Sequence, residues 1–154
     1  MSIGTPAEAA TAVPANVIYT AAVRVSGGRG GAARSLTGSL RVDLTRPAQR
    51  GPDAAGTDPE ELFAAGYAAC FDSALAIAAR QVGAKPGPTT VTASVSLGQT
   101  DAGRYAIAVV LEVSAPECPQ ADLERAVALA DQLCPYSNAL RGNTPVTIQV
   151  DGHR

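Results

Sequence analysis

The sequence predicts a mixed α+β domain of order β-β-α-β-β-α-β, built around one long central helix. Three observations predict it. A capped, apolar segment runs from Asp58 to about Gln81, and Gly83 and Pro86 stop it. Residues 89–97 and 104–113 read as two strands across a short polar turn. Residues 120–133 form a second, amphipathic helix pattern, with Leu123, Val127 and Ala130 on one stripe. The chain has 154 residues, which suits one domain.

Residues 1–16 are rich in Ala, Thr and Pro and lack a basic start followed by an apolar run. They read as a flexible leader rather than a secretion signal, so the domain is expected over 17–154. Residues 17–25 read as the first strand. The stretch 26–33 is a glycine-rich loop carrying Arg29. Leu36, Leu40, Val42 and Leu44 alternate as a second strand, and the two make a hairpin. Residues 46–57 hold Pro, Gly and Asp and read as a loop.

Asp58 then suits a helix N-cap, Pro59 the first helical position and Glu61 the capping-box carboxylate. From Leu62 to Ala79 the helix is apolar on nearly every face apart from Asp72 and Ser73. That length would also suit a membrane span. The alanine content, the central Asp72 and the acidic first turn favour a buried core helix instead. Val91, Ala93, Val95 and Leu97 share one face of the next strand, and residues 99–103 turn into its partner. Pro135 ends the second helix, and residues 145–150 form a short last strand.

Composition narrows the function. With no Trp, two Phe and four Tyr, the core is largely Ala and Val and gains little per residue, so an oligomer is expected. A net charge of -2 excludes bulk capture of nucleic acid. Three cysteines are too few and too odd a number for a secreted disulfide scaffold, and point to a reducing, cytoplasmic setting with reactive thiols. The lone histidine, His153, stands beside the C-terminus, which removes Ser-His-Asp and Cys-His catalysis, and no His and Cys cluster has zinc spacing. The glycine-rich loop joins two strands and is no dinucleotide fingerprint.

On position alone, Cys70 in the central helix and Cys134 on the stripe of the second helix read first as core fillers. They also lie where two helices would bring thiols together, which spacing cannot decide. Cys118, flanked by Pro116 and Pro119, reads as exposed and incidental. A reactive Cys70 needs a nearby cation, because burial raises a thiol pKa and the helix dipole fades after the first turn. The single Lys, Lys85, lies past the far end of the helix, so Arg29 on its glycine loop is the candidate, with a carboxylate to hold it. Cys134-Pro135-Tyr136-Ser137 is similar to a monothiol glutaredoxin site, but Cys134 comes at a helix end rather than a helix start.

Two long motifs then stand together. The run Asp58-Pro59-Glu60-Glu61-Leu62-Phe63-Ala64-Ala65-Gly66-Tyr67-Ala68-Ala69-Cys70-Phe71 closely resembles the first cysteine helix of the organic hydroperoxide resistance proteins. Cys134-Pro135-Tyr136-Ser137-Asn138-Ala139-Leu140-Arg141-Gly142-Asn143 resembles their second cysteine motif, and Tyr19 through Gly27-Gly28-Arg29 their N-terminal strand and arginine loop. The Cys-Pro-Tyr-Ser-Asn run separates this branch from the related osmotically induced, OsmC, branch.

The resemblance implies an OsmC-like α+β fold as an intertwined homodimer. It implies reduction of organic hydroperoxides, including those of fatty acids, without metal, haem or flavin. The reductant it implies is a dithiol, lipoylated protein or dihydrolipoamide. It assigns Cys70 as the attacking thiol, Cys134 as the resolving thiol, Arg29 as thiolate stabiliser and Glu60 as the carboxylate that holds Arg29. Glu61 is a second candidate for that last role. An apolar lining of Phe63, Tyr67, Phe71 and Ile77 would favour greasy peroxides. Glu60 precedes Cys70 by ten residues, about 15 Å along a straight helix, so the two do not meet on one ideal helix. A non-catalytic stress or binding protein on the same fold, and another thiol-disulfide oxidoreductase, are the competing classes.

Overall fold

A computed structural model describes residues 14–49, 51 and 55–153. The expected leader falls largely outside them. Among the described residues, two three-stranded sheets and three α-helices make up the fold. β1 (Val23–Ser26), β2 (Ala32–Ser35) and β3 (Arg41–Asp43) form an antiparallel meander of order β1-β2-β3. β4 (Thr90–Gln99) pairs antiparallel with β5 (Tyr105–Pro119), and β6 (Val146–His153) pairs parallel with β5 on its other side. α1 (Pro59–Val82) packs along β4 and α2 (Gln120–Leu133), and α2 covers β5 and β6.

The N-terminal sheet departs from the expected hairpin. Residues 36–44 are not one strand. They hold a tight turn, closed by the Gly38 N–H donating to the Ser35 carbonyl, and then β3. The partner of β1 is β2, whose first two residues, Ala32 and Ala33, fall in the stretch expected to be loop. The first strand is also shorter than expected. Among the described residues 14–22 lie in no strand, and Val17, Ile18 and Tyr19 stand exposed, Ile18 at 94%.

α1 forms where its end signals stand. Asp58 caps it in extended conformation, its side chain accepting from the Glu61 N–H at 2.8 Å. Pro59 opens the first turn, where no N–H is needed. Gly83 closes the helix, its N–H bonded to the Ala79 carbonyl. Asp58→Ala should cost about 1–2 kcal/mol. In a thermal melt this is a fall of several degrees, and an unchanged midpoint would remove the cap from this account.

Tyr67, Phe71, Ala74, Leu75 and Ala78 recur at helical spacing and are buried against Val109, Leu111 and Val113 of β5 and Leu123 of α2. Each large side chain buried there contributes roughly 1.5–3 kcal/mol. The helix is not buried all round in the single chain. Ala65, Ala69, Ser73, Ala76 and Ile77 form an exposed stripe. α1 is long and apolar enough to cross a membrane, yet its other face is the protein's core.

Two further expectations are corrected. Cys118 is fully buried, because β5 continues through a bulge to Pro119 and pairs there with β6 at His153. Pro135 does end α2, but it also opens a short third helix, α3 (Pro135–Leu140). One proline serves both ends, since its fixed φ suits a first helical turn. The element order is therefore β-β-β-α-β-β-α-α-β.

Candidate active site

Cys70 sits in α1 between the buried Tyr67 and Phe71 faces and is partly exposed. Cys134 is fully buried at the junction of two helices, as C-cap of α2 and N-cap of α3. Its extended backbone, φ -69° and ψ 120°, is what the following Pro135 demands. Both cysteines are free thiols, and their Sγ atoms lie 3.7 Å apart. A disulfide needs the sulfurs roughly 1.7 Å closer.

Burial pushes the Cys70 thiol above its ordinary value of 9.0. The backbone N–H of Tyr136 opposes that rise, and the neighbouring Cys134 adds to it. Arg29 is not among the groups acting on Cys70. It is engaged elsewhere: Nη1 and Nη2 each donate to one Glu60 oxygen at 2.7 Å, a bidentate pair. The neighbouring Glu61 carboxylate accepts from Thr57 Oγ1 at 2.6 Å.

The bidentate bond raises Arg29 and lowers Glu60 from their ordinary values. For Glu60 the sign gives a contribution to folding that is present above its ordinary 4.5. It is lost as pH falls through the lower folded value. The pair therefore stands intact at neutral pH. It docks the turn Gly28–Gly30 onto the first turn of α1, and that turn needs glycines at 27 and 28, whose φ values are 75° and 55°. α1 has no break between Glu60 and Cys70. Arg29 and Glu60 thus form one cluster, and Cys70 and Cys134 another, two to three helical turns along.

A cleft of about 390 Å³ opens at the first cluster, with Arg29 and Glu60 facing Ala93, Val95 and Leu97 of β4. Phe63 lines a smaller hollow beside it with Val95 and Ile107. The other three residues expected to line a pocket do not do so in the single chain. Tyr67 and Phe71 are fully buried, and Ile77 stands on the exposed stripe of α1. Core packing has claimed the two aromatics at the spacing that faces the sheet.

Sequence reasoning placed Tyr136 and Ser137 in the second cysteine motif but gave them no role, because it read no helix beyond Pro135. Tyr136 stacks on Tyr67 with centroids 5.7 Å apart and planes 19° apart, and meets Phe63 edge-on. Ser137 Oγ shares a buried 2.9 Å hydrogen bond with Tyr67 Oη. Gly66, a glycine inside a helix, was the available signal of a close neighbour.

Comparison with known proteins fits this arrangement. The family model described as OsmC-like protein matches residues 51–149. The organic hydroperoxide resistance protein of Xanthomonas axonopodis pv. citri is 44% identical over 89% of this chain and 97% of its own. The chain belongs to the OsmC-like family, in its organic hydroperoxide resistance branch. Solved members of that branch share the fold. An organic hydroperoxide resistance protein from Legionella pneumophila has a TM-score of 0.80 and 38% identity, covering 88% of this chain and 99% of that one. The protein OhrB of Bacillus subtilis has a TM-score of 0.80 and 35% identity, over 87% and 99%. Membership in the OsmC-like family accounts for the α+β architecture.

Proposed function

We propose that this chain is a cysteine peroxidase that reduces organic hydroperoxides, including those of lipids, to alcohols. The observation that carries the reading is the pair of free thiols, Cys70 and Cys134, at 3.7 Å. The names of its relatives, which concern resistance to organic hydroperoxides, supply the substrate class.

The Cys70 thiolate attacks the terminal peroxide oxygen. The O–O bond breaks, the alkoxide takes a proton and leaves as alcohol, and Cys70 becomes a sulfenic acid. The Cys134 thiol displaces its hydroxyl as water, which forms the disulfide. A dithiol such as dihydrolipoamide or a lipoylated protein returns both thiols by exchange and is itself oxidised. No resident metal or organic cofactor enters these steps. The exposed stripe of α1 and the exposed residues Val17, Ile18 and Tyr19 suit a second copy of the chain, and free thiols suit a reducing, cytoplasmic setting.

We assign to Arg29 the activation of Cys70. Its side chain is 43% exposed and rides on a turn of glycines, which leaves it room to move toward a thiol. The pH profile of Cys70 alkylation reads that contribution. A cation favours the thiolate, so Arg29→Ala should move the midpoint to higher pH by about 1–3 units. Alkylation at neutral pH should fall roughly tenfold per unit. Superimposed curves would take Arg29 out of the mechanism.

The decisive assay is consumption of tert-butyl hydroperoxide with dihydrolipoamide as reductant. Steady turnover is expected. Absence of consumption with both thiols titratable would favour a non-catalytic protein on this fold, and disulfide reduction without peroxide consumption another oxidoreductase.

A further inference from the structure

We propose that Tyr136, seated over Gly66, is a positioning residue that sets the sulfur-to-sulfur distance at which Cys70 and Cys134 close their disulfide. The inference rests on the thiol pair assigned above and deepens it. Gly66 lies in mid-helix, one turn before Cys70, where glycine costs about 1 kcal/mol relative to alanine. The requirement for it is steric. A Cβ at this position would stand 2.8 Å from Tyr136 Oη and 3.4 Å from its Cζ.

Tyr136 is 37% exposed, but its ring is held on two sides. It stacks on Tyr67, which is fully buried and tied to Ser137, and it abuts the edge of Phe63 at 5.8 Å. Residues 136 and 137 thus hold α3 on α1, one through a ring and one through a hydroxyl. The far end of α3 is held on α2. Arg141 donates to the Asp131 carbonyl and carboxylate at 2.9 Å, and Asn138 donates to the Gln132 carbonyl at 3.0 Å. Cys134 is the joint between the two helices, so it has little freedom apart from its own side chain. How deeply the Tyr136 ring settles on Gly66 decides how far the 134–136 segment stands from α1, and with it the gap between the sulfurs. The Tyr136 backbone N–H, which acts on Cys70, is carried by the same segment.

Disulfide closure in a glutathione buffer reads this directly and needs no peroxide. The two thiols give up two electrons and two protons, and one oxidised glutathione accepts them to become two glutathione thiols. The equilibrium constant measures how well each sulfur is presented to the other. The full-length protein is equilibrated across glutathione ratios, and peptide mapping quantifies the Cys70–Cys134 bond.

Gly66→Ala should lower the constant by about tenfold or more, although alanine is the better helix former. Adding Tyr136→Phe, which removes Oη, should restore it to within about threefold, an ordinary contact then replacing the clash. Tyr136→Ala alone should lower it as well, and carries the test if Gly66→Ala does not fold. A wild-type constant in Gly66→Ala, or a double variant no better than the single one, would overturn the proposal. The peroxidase reading fails separately, if the wild-type protein forms the disulfide in glutathione and still consumes no hydroperoxide.

Discussion

Cys70→Ser is expected to give a folded protein that consumes no organic hydroperoxide. The substitution changes one atom in a helix whose caps and buried face are untouched, so the thermal midpoint should move by only a few degrees. The chemistry is removed altogether. A serine hydroxyl has no accessible anion near neutral pH, and the nearby groups that would lower a pKa are few. Burial already raises the thiol at this position, and the Tyr136 N–H is the one contact acting the other way. No histidine is at hand as a base, since the chain has one, His153, at its far end. Loss of at least about a thousandfold in tert-butyl hydroperoxide consumption is the expected result, on the scale of removing a nucleophile acting with its partners. Consumption at the wild-type rate would place the attack elsewhere and sink the assignment of Cys70.

The same residues show why some of this was legible in the sequence and some was not. α1 and α2 were readable because their ends carry local chemistry: Asp58, Pro59 and Gly83 for one, a regular apolar stripe and Pro135 for the other. β2 was not readable. Ala32, Ala33, Arg34 and Ser35 have little strand preference of their own, and they are a strand because β1 and β3 supply hydrogen-bonding partners on both sides. Cys118 looked like a loop residue between prolines, and only the late pairing of β5 with β6 buries it.

At the site, the residue types were legible from motifs, and the ten-residue spacing already set Glu60 apart from Cys70, while the partners each meets across the fold were not legible. Arg29 meets Glu60 across 31 positions, and Cys70 meets Cys134 across 64. Contacts at that range depend on how helices and sheets pack, which no local pattern encodes. α3 was hidden for a simpler reason: a proline that stops one helix was not also read as the start of the next. With α3 went Tyr136, although Gly66 had marked the place where something approaches α1.

Cys134 offers the complementary experiment, and its expected outcome differs in kind. Removing the resolving thiol leaves Cys70 able to attack, so Cys134→Ala should consume one equivalent of hydroperoxide per chain in a burst and then slow. Alanine is preferable to serine here, because position 134 is fully buried and an unpartnered hydroxyl would cost about 1–3 kcal/mol in its own right. The sulfenic acid at Cys70 would then wait for an external dithiol. In the wild-type protein its partner sulfur stands 3.7 Å away, close to the distance at which a bound reactant behaves as one at very high local concentration. Losing that advantage should slow steady turnover on the order of a hundredfold, with the sulfenic acid accumulating as a dimedone adduct. The burst is what distinguishes this variant from Cys70→Ser, which should show none. A Cys134→Ala protein that turns over at the wild-type rate would mean that the external dithiol attacks Cys70 directly. The proximity of the two sulfurs would then belong to packing rather than to catalysis.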